Sequence, residues 1–254
     1  MKVFDFVSPD YVKFCEKKYN IKSGCNNIKL NTLYSYRSQE NELLRDKGEG
    51  EFSYYVNFPE LMEPSPEWLS SFELDGPGDI EVNDVRIDYG RVRVKGFSLS
   101  GSTPNCWIYC MSQSIGSAGS ITEAYEDKWT IEATKFQDFV RCIVDALFNS
   151  LTVKDIPQNL LEKYSIVQLR ERLSMNAEFR GVEYVDRSVT ITAPDDFDVL
   201  KARELSDSIA FKKPKEFAAE QEIRIAFWLM FDGKKISVVD QPKYINLRPV
   251  DNIF

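Results

Sequence analysis

The stretch Glu222–Asp240, EIRIAFWLMFDGKKISVVD, decides the fold class. Glu222 to Phe231 is one apolar run rich in Ile, Phe and Trp, residues that suit a pleated, buried surface. Asp232-Gly233 follows, and KKISVVD runs on from it. Asp-Gly between two apolar runs is a strong hairpin signal, because a type I′ turn needs positive φ at both central positions. KYINLRP, from Lys243, adds a further strand.

Working outward, IEVNDVRID (80–88) and RVRVKGFSLS (91–100) alternate with period two and meet at Tyr89-Gly90, a second hairpin with one wet face. CWIYCMS (106–112) reads as a short buried strand, and SQSIGSAGSIT after it as a small, polar loop. Asn27 to Tyr36 and Phe52 to Phe58 read as strands, whereas Pro59 to Asp79, rich in Pro and Gly, reads as a loop with one helical turn around Trp68. Arg180 to Thr192 returns to strand.

Helices gather in the middle. Thr134 and Gln137 match a capping box, and Phe136, Phe139, Val140, Ile143, Val144 and Leu147 form one apolar face. A second helix is predicted over Pro157–Ser174, another over Asp196–Asp207, and a short one from the Ser8-Pro9-Asp10 cap to Asn20. Strands first and last with helices between predict an α+β fold, mainly antiparallel, as a single domain 1–254 with a helical insertion around 134–174.

Composition narrows the chemistry. A chain of 254 residues, 43% hydrophobic, holds a core without metals or disulfides. Its net charge of −8 argues against coating nucleic acid through bulk charge. No apolar run approaches the roughly 18 residues of a membrane span, and acidic residues interrupt MKVFDFVSPD where a signal peptide needs an apolar stretch. The five cysteines, odd in number and scattered, read as free thiols of a reducing cytoplasm with no metal site. There is no histidine, so Ser-His-Asp and Cys-His hydrolysis and His-based zinc chemistry are excluded. Carboxylates, Arg, Lys, Ser, Tyr and Cys remain.

Three islands collect those residues. LNTLYSYR carries Tyr34 and Tyr36 and ends on Arg37, with Asp46, Glu49 and Glu51 following. IYCMSQS ends a buried strand on Ser112 and Ser114. AEQEIRI carries Glu220, Glu222 and Arg224, which on a continuous strand share one side, so that the like charges raise each other's pKa and the arginine holds one ionised. Bland readings stand beside these. Glu-x-Glu-x-Arg can be the solvated face of an edge strand with Ile223, Ile225 and Phe227 inward, Arg37 can pair with Glu40 or Asp46 at the surface, and the serines can be turn residues.

The order of the islands, Arg then Ser-x-Ser then Glu-x-Glu, resembles the arginine-type ADP-ribosyltransferases. The resemblance implies NAD as the bound substrate, with Arg37 on its phosphates, Ser112 and Ser114 ordering the nicotinamide half, and Glu222 on the ribose stabilising an oxocarbenium-like transition state. Glu220 would orient or activate the acceptor, and Tyr34, Tyr36 or Trp107 would stack the nicotinamide. The middle motif reads Ser-Gln-Ser where that family usually has Ser-Thr-Ser. The chain as a whole also resembles a bacterial family of unknown function through IKLNTLYSYR, DKGEG, CMS and EQEIR. Members of that type look like effectors of phage defence or toxin systems.

The predicted function is therefore an NAD-dependent ADP-ribosyltransferase acting on a protein or nucleic-acid acceptor, with a neutralising antitoxin or immunity protein as a further partner and no membrane. Two alternatives stay open. One is a metal-dependent nuclease using Asp46, Glu49 or Glu51 with Glu220 and Glu222. The other is a non-catalytic interaction or immunity protein with an exposed aromatic patch at Phe58, Trp68 and Phe72.

Overall fold

A computed structural model describes residues 10–40, 42, 45–70, 72, 78–113, 125–196, 205 and 207–247. Its strands run, in chain order, β1 (Tyr11–Cys15), β2 (Asn27–Thr32), β3 (Glu51–Met62), β4 (Gly78–Asp88), β5 (Arg91–Ser102), β6 (Trp107–Ser112) and β7 (Asp127–Ile131). They continue as β8 (Leu173–Gly181), β9 (Glu183–Tyr184), β10 (Ser188–Ile191), β11 (Lys212–Lys213), β12 (Glu222–Phe231), β13 (Lys234–Ile236) and β14 (Lys243–Asn246). The α-helices are α1 (Pro66–Ser70), α2 (Ala133–Asn149), α3 (Gln158–Lys163) and α4 (Ile166–Arg172). The fold is α+β and mainly antiparallel, as predicted, with parallel pairing at β3–β10 and β9–β11.

The chain divides into two compact units, residues 1–47, 105–182 and 216–254 in the first and 48–104 and 183–215 in the second. The helical block 134–174 belongs to the first unit. Its sheet is organised around β12, which pairs antiparallel with β6 at Glu222–Phe227, with β8 along Ile223–Phe231 and with β13 at its end. β6 in turn pairs with β1 at Ser112 and with β2 at Trp107 and Ile108. Alternation along these strands sorts the faces. Trp107, Tyr109 and Met111 of β6 join Ile223, Ile225, Phe227 and Leu229 of β12 in one core, which Phe136, Phe139, Ile143 and Leu147 of α2 cover. Phe139 packs its ring against Trp129 and Tyr109.

The second unit is a four-stranded sheet ordered β10-β3-β5-β4. Its core holds Phe52, Tyr54, Val56 and Phe58 of β3, Val94, Phe97 and Leu99 of β5, and Trp68 of α1. Trp68 does sit on a single helical turn, but Pro59–Met62, predicted as loop, continues β3 past an irregularity in its pairing with β5.

Both predicted hairpin turns form. Tyr89-Gly90 and Asp232-Gly233 have φ of 49° and 78° and of 50° and 77°, the left-handed pair a type I′ turn requires. Other expectations are corrected. Tyr11–Cys15, predicted helical, is strand, because YVKFC finds ladders with β6 and β7 that outweigh a local capping signal; Ser8 and Pro9 lie outside the described residues. The Thr134–Gln137 box is not formed, since Glu132 is the N-cap of α2 and its side chain makes no capping bond. Pro157–Ser174 breaks into α3 and α4, because Ser165 and Gln168 form a capping box that starts a new helix, and Ser174 belongs to β8. The stretch 196–207 lies largely outside the described residues.

Candidate active site

The polar residues of β6 and β12 fall on the sheet face opposite α2. Register makes this so: Ser112 lies directly across from Glu222, and Cys110 from Arg224. Cross-strand partners share a face. Glu222 is held by its backbone from both sides, through the β6 ladder and through its carbonyl, which accepts from the Val182 amide at 2.9 Å. Just before it, the Gln221 carbonyl accepts from the Gln113 amide at 3.0 Å.

The bland reading of Glu-x-Glu-x-Arg as a solvated edge is overturned. β12 is an inner strand, Arg224 is 0% exposed and Glu222 5%, and Arg224 Nε donates to Glu222 Oε1 at 2.7 Å. Nor do the two glutamates share a strand. Glu220 closes a 3₁₀ turn, Lys215–Glu220, and Gln221 adopts φ 43° before the strand begins. A glutamine held in the left-handed region stores strain of order 1 kcal/mol. That kink half-buries Glu220 and buries Glu222 instead of aligning them.

Arg37 is likewise displaced from the strand end where it was predicted. β2 stops at Thr32 and the chain winds into a 3₁₀ turn, Tyr34–Ser38. Polar anchors explain the stop. Thr32 Oγ1 accepts from the Ser35 amide, Ser35 Oγ donates to the Thr32 carbonyl at 2.8 Å, and the buried Asn105 accepts the Tyr34 amide through Oδ1 at 3.0 Å. The Arg37 guanidinium lies 3.7 Å above the centre of the Tyr34 ring. The turn is also tied forward, because the Asp46 amide donates to the Tyr36 carbonyl at 3.1 Å.

Tyr36 brings this turn to the glutamate. Its hydroxyl accepts from Asn31 Nδ2 at 3.3 Å, and Asn31 lies across from Ile108 on β6. Burial pushes the phenol well above its ordinary pKa, and the neighbouring Cys110 and Glu222 act in the same direction, while the Asn31 bond and Arg224 oppose them. Lys13 of β1 reaches the same strand, donating through Nζ to the Cys110 carbonyl at 2.7 Å. Burial pulls its ammonium below the usual lysine range, with Cys110, Cys15 and Glu222 holding it back. Tyr125 is also raised by burial, beside Cys110 and Glu220.

Of the predicted residues, Tyr36, Ser112 and Glu222 are thus brought together, with Arg37 one residue from Tyr36. Ser114 lies outside the described residues. Trp107 is withdrawn as a stacking residue, since it is buried in the core under α2. The aromatic patch fails too, because Phe58 and Trp68 are buried and Phe72 packs on them from a half-buried position. Asp46 belongs to the first unit, Glu49 and Glu51 to the second. Sequence reasoning missed Lys13, gave no site role to Asn31 and Cys110 although IKLNTLYSYR and CMS contain them, and treated Arg224 only as an accessory to the glutamates. Among the described residues no helix is long and apolar enough to cross a membrane. Comparisons with protein-family models, curated proteins and solved structures match none of them.

Proposed function

We propose that the chain is an NAD-dependent ADP-ribosyltransferase of bacterial toxin or phage-defence type, acting in the cytoplasm on a protein or nucleic-acid acceptor. The observation that carries this reading is the direct pairing of Ser112 with Glu222, with Tyr36 of the Arg37-bearing turn in electrostatic range of the same carboxylate. Three segments distant in sequence supply Tyr36, Ser112 and Glu222 to one face of the sheet, and Arg37 follows Tyr36 in its turn; side chains set on a rigid sheet are held precisely enough for chemistry.

NAD enters as substrate. Its bond from the anomeric carbon to the nicotinamide nitrogen breaks, the electron pair leaves with the ring, and neutral nicotinamide departs. Positive charge grows on the ribose, and Glu222 stabilises it as a preorganised carboxylate in a water-poor setting. Arg224 fixes the rotamer of that carboxylate. The acceptor oxygen or nitrogen then bonds to the anomeric carbon and gives up its proton to Glu220. Arg37 supplies positive charge for the diphosphate. A toxin of this kind implies a neutralising antitoxin or immunity protein.

A second reading has its own observation. Glu222 is buried and already ion-paired, which suits a structural clamp in a non-catalytic interaction or immunity protein. The nuclease alternative has no such support, since among the described residues no three carboxylate or thiol side chains gather to share a metal ion. Incubation of the pure protein with labelled NAD, with and without cell lysate, separates the readings. Nicotinamide release or label transfer, lowered about 10²–10³-fold in Glu222→Gln, supports the transferase. No consumption of NAD under any of these conditions would leave the clamp.

A further inference from the structure

β4 is a long sheet edge that the second unit leaves open. It has 11 residues, all exposed or half-buried, and among the described residues no strand pairs with its outer side. Register fixes which way its side chains face. Ile80 lies across from Leu99, Val82 from Phe97, Val85 from Val94 and Ile87 from Val92. Leu99, Phe97 and Val94 point into the core, so their aliphatic partners lie on the same side. A register irregularity between Val82 and Val85 keeps both halves of the row on that side. Yet Ile80, Val82 and Ile87 are 63%, 60% and 72% exposed. The apolar face of this sheet runs past its own cover to the edge.

The opposite side of β4 carries Asp79, Glu81, Asp84, Arg86 and Asp88. Arg86 pairs with Asp84 and Arg93 with Asp88. Among the described residues Asp79 and Glu81 have no cationic partner, Glu81 only accepting from Ser98 Oγ. An unpaired edge with a row of exposed aliphatics is a template for another strand. Its charges choose the occupant. A second copy laid antiparallel with its aliphatic row matched would meet Glu81 with Arg86 but set Asp79 against Asp88, a like-charge pair, so it neutralises less of this acidic row than a strand carrying cations throughout.

We propose that β4 docks an extended segment of a partner protein in which aliphatic residues alternate with Lys or Arg. The added strand pairs its backbone with the outer edge of β4, continues the row Ile80, Val82, Val85, Ile87 on one side, and meets Asp79 and Glu81 with cations on the other.

The test uses the full chain and a capped synthetic peptide of alternating valine and lysine, the length of β4. Valine–glutamate and proline-interrupted versions serve as controls. Hydrogen exchange should slow across residues 78–88 with the valine–lysine peptide alone, and affinity should rise as salt is lowered. The double variant Ile80→Lys, Val82→Lys should bind at least about tenfold more weakly with an unchanged melting temperature. It leaves the chain acidic, so general charge attraction survives in it. Equal binding by this variant, binding of the glutamate peptide, or protection outside 78–88 would overturn the proposal. So would a concentration-dependent homodimer protected at β4, which makes a second copy the occupant.

Discussion

Arg224 donates to Glu222 across two positions of one strand, at 2.7 Å, with both side chains withdrawn from solvent. Removing one member of such a pair leaves a buried charge uncompensated. Glu222→Ala and Arg224→Ala should each destabilise the protein by about 3–5 kcal/mol, while Glu222→Leu with Arg224→Met should cost far less than their sum or even stabilise. Urea unfolding of the singles and the double closes the cycle. Additive losses would show that the two side chains do not depend on each other.

The α2-covered core yields a simpler expectation. Phe139 is fully buried, edge-on to Trp129 with ring centres 5.5 Å apart, and it seals the helix to the sheet. Phe139→Ala should cost about 3–5 kcal/mol. Phe148→Ala, at the end of the same helix and 38% exposed, should cost well under half as much. Thermal or chemical denaturation of the two variants compares them directly.

The elements legible in the sequence were those whose signal is local. Asp232-Gly233 and Tyr89-Gly90 announced hairpins because the turn chemistry sits within two residues. α2 was legible because its apolar face, Phe136 to Leu147, repeats for about three turns. What escaped depends on partners far along the chain. Lys13 meets Cys110 from 97 positions away, and nothing around YVKFC distinguishes that lysine from a solvated one. Arg37 was read as a strand end because Tyr34 and Tyr36 alternate like a strand. Thr32 and the distant Asn105 wind those residues into a 3₁₀ turn instead. Spacing alone aligns Glu220 with Glu222, and one positive φ at Gln221 separates them.

Gln221 therefore tests the kink itself. Its φ of 43° suits glycine and opposes a β-branched side chain. Gln221→Gly should leave stability within about 1 kcal/mol of the parent, strain relief offsetting the extra freedom of the unfolded chain, while Gln221→Val should lose more than that. Melting temperatures of the two variants suffice. Equal tolerance of valine would mean the backbone here is free to relax.

Alkaline pH should act on the second unit through Tyr54. Burial in the core raises its phenol to about 12 from an ordinary value near 10. A group with a raised folded pKa contributes stability that is fully present below the unfolded pKa and lost as pH rises through the folded one. Stability should therefore hold up to about pH 10 and fall between 10 and 12. Tyr54→Phe should flatten that fall, measured by urea unfolding at stepped pH. An unchanged alkaline limb in the variant would exclude Tyr54 as its source.

The glutamates separate catalysis from folding once their different settings are taken into account. Glu222→Gln keeps the shape of the side chain but removes the charge facing Arg224, so both stability and activity should fall. Activity of that variant must accordingly be read well below its melting transition, where the folded fraction is near one. There a loss of about 10²–10³-fold in nicotinamide release would mark an electrostatic role in the reaction. Glu220 stands on a 3₁₀ turn and half in solvent, so Glu220→Gln should shift stability by no more than about 0.5 kcal/mol. Its effect should fall on transfer to the acceptor more than on nicotinamide release, because a base that serves the incoming nucleophile is not needed to break the glycosidic bond. If Glu222→Gln retained full turnover while folded, the buried carboxylate would be a clamp for Arg224 and the polar face of this sheet a scaffold for binding alone.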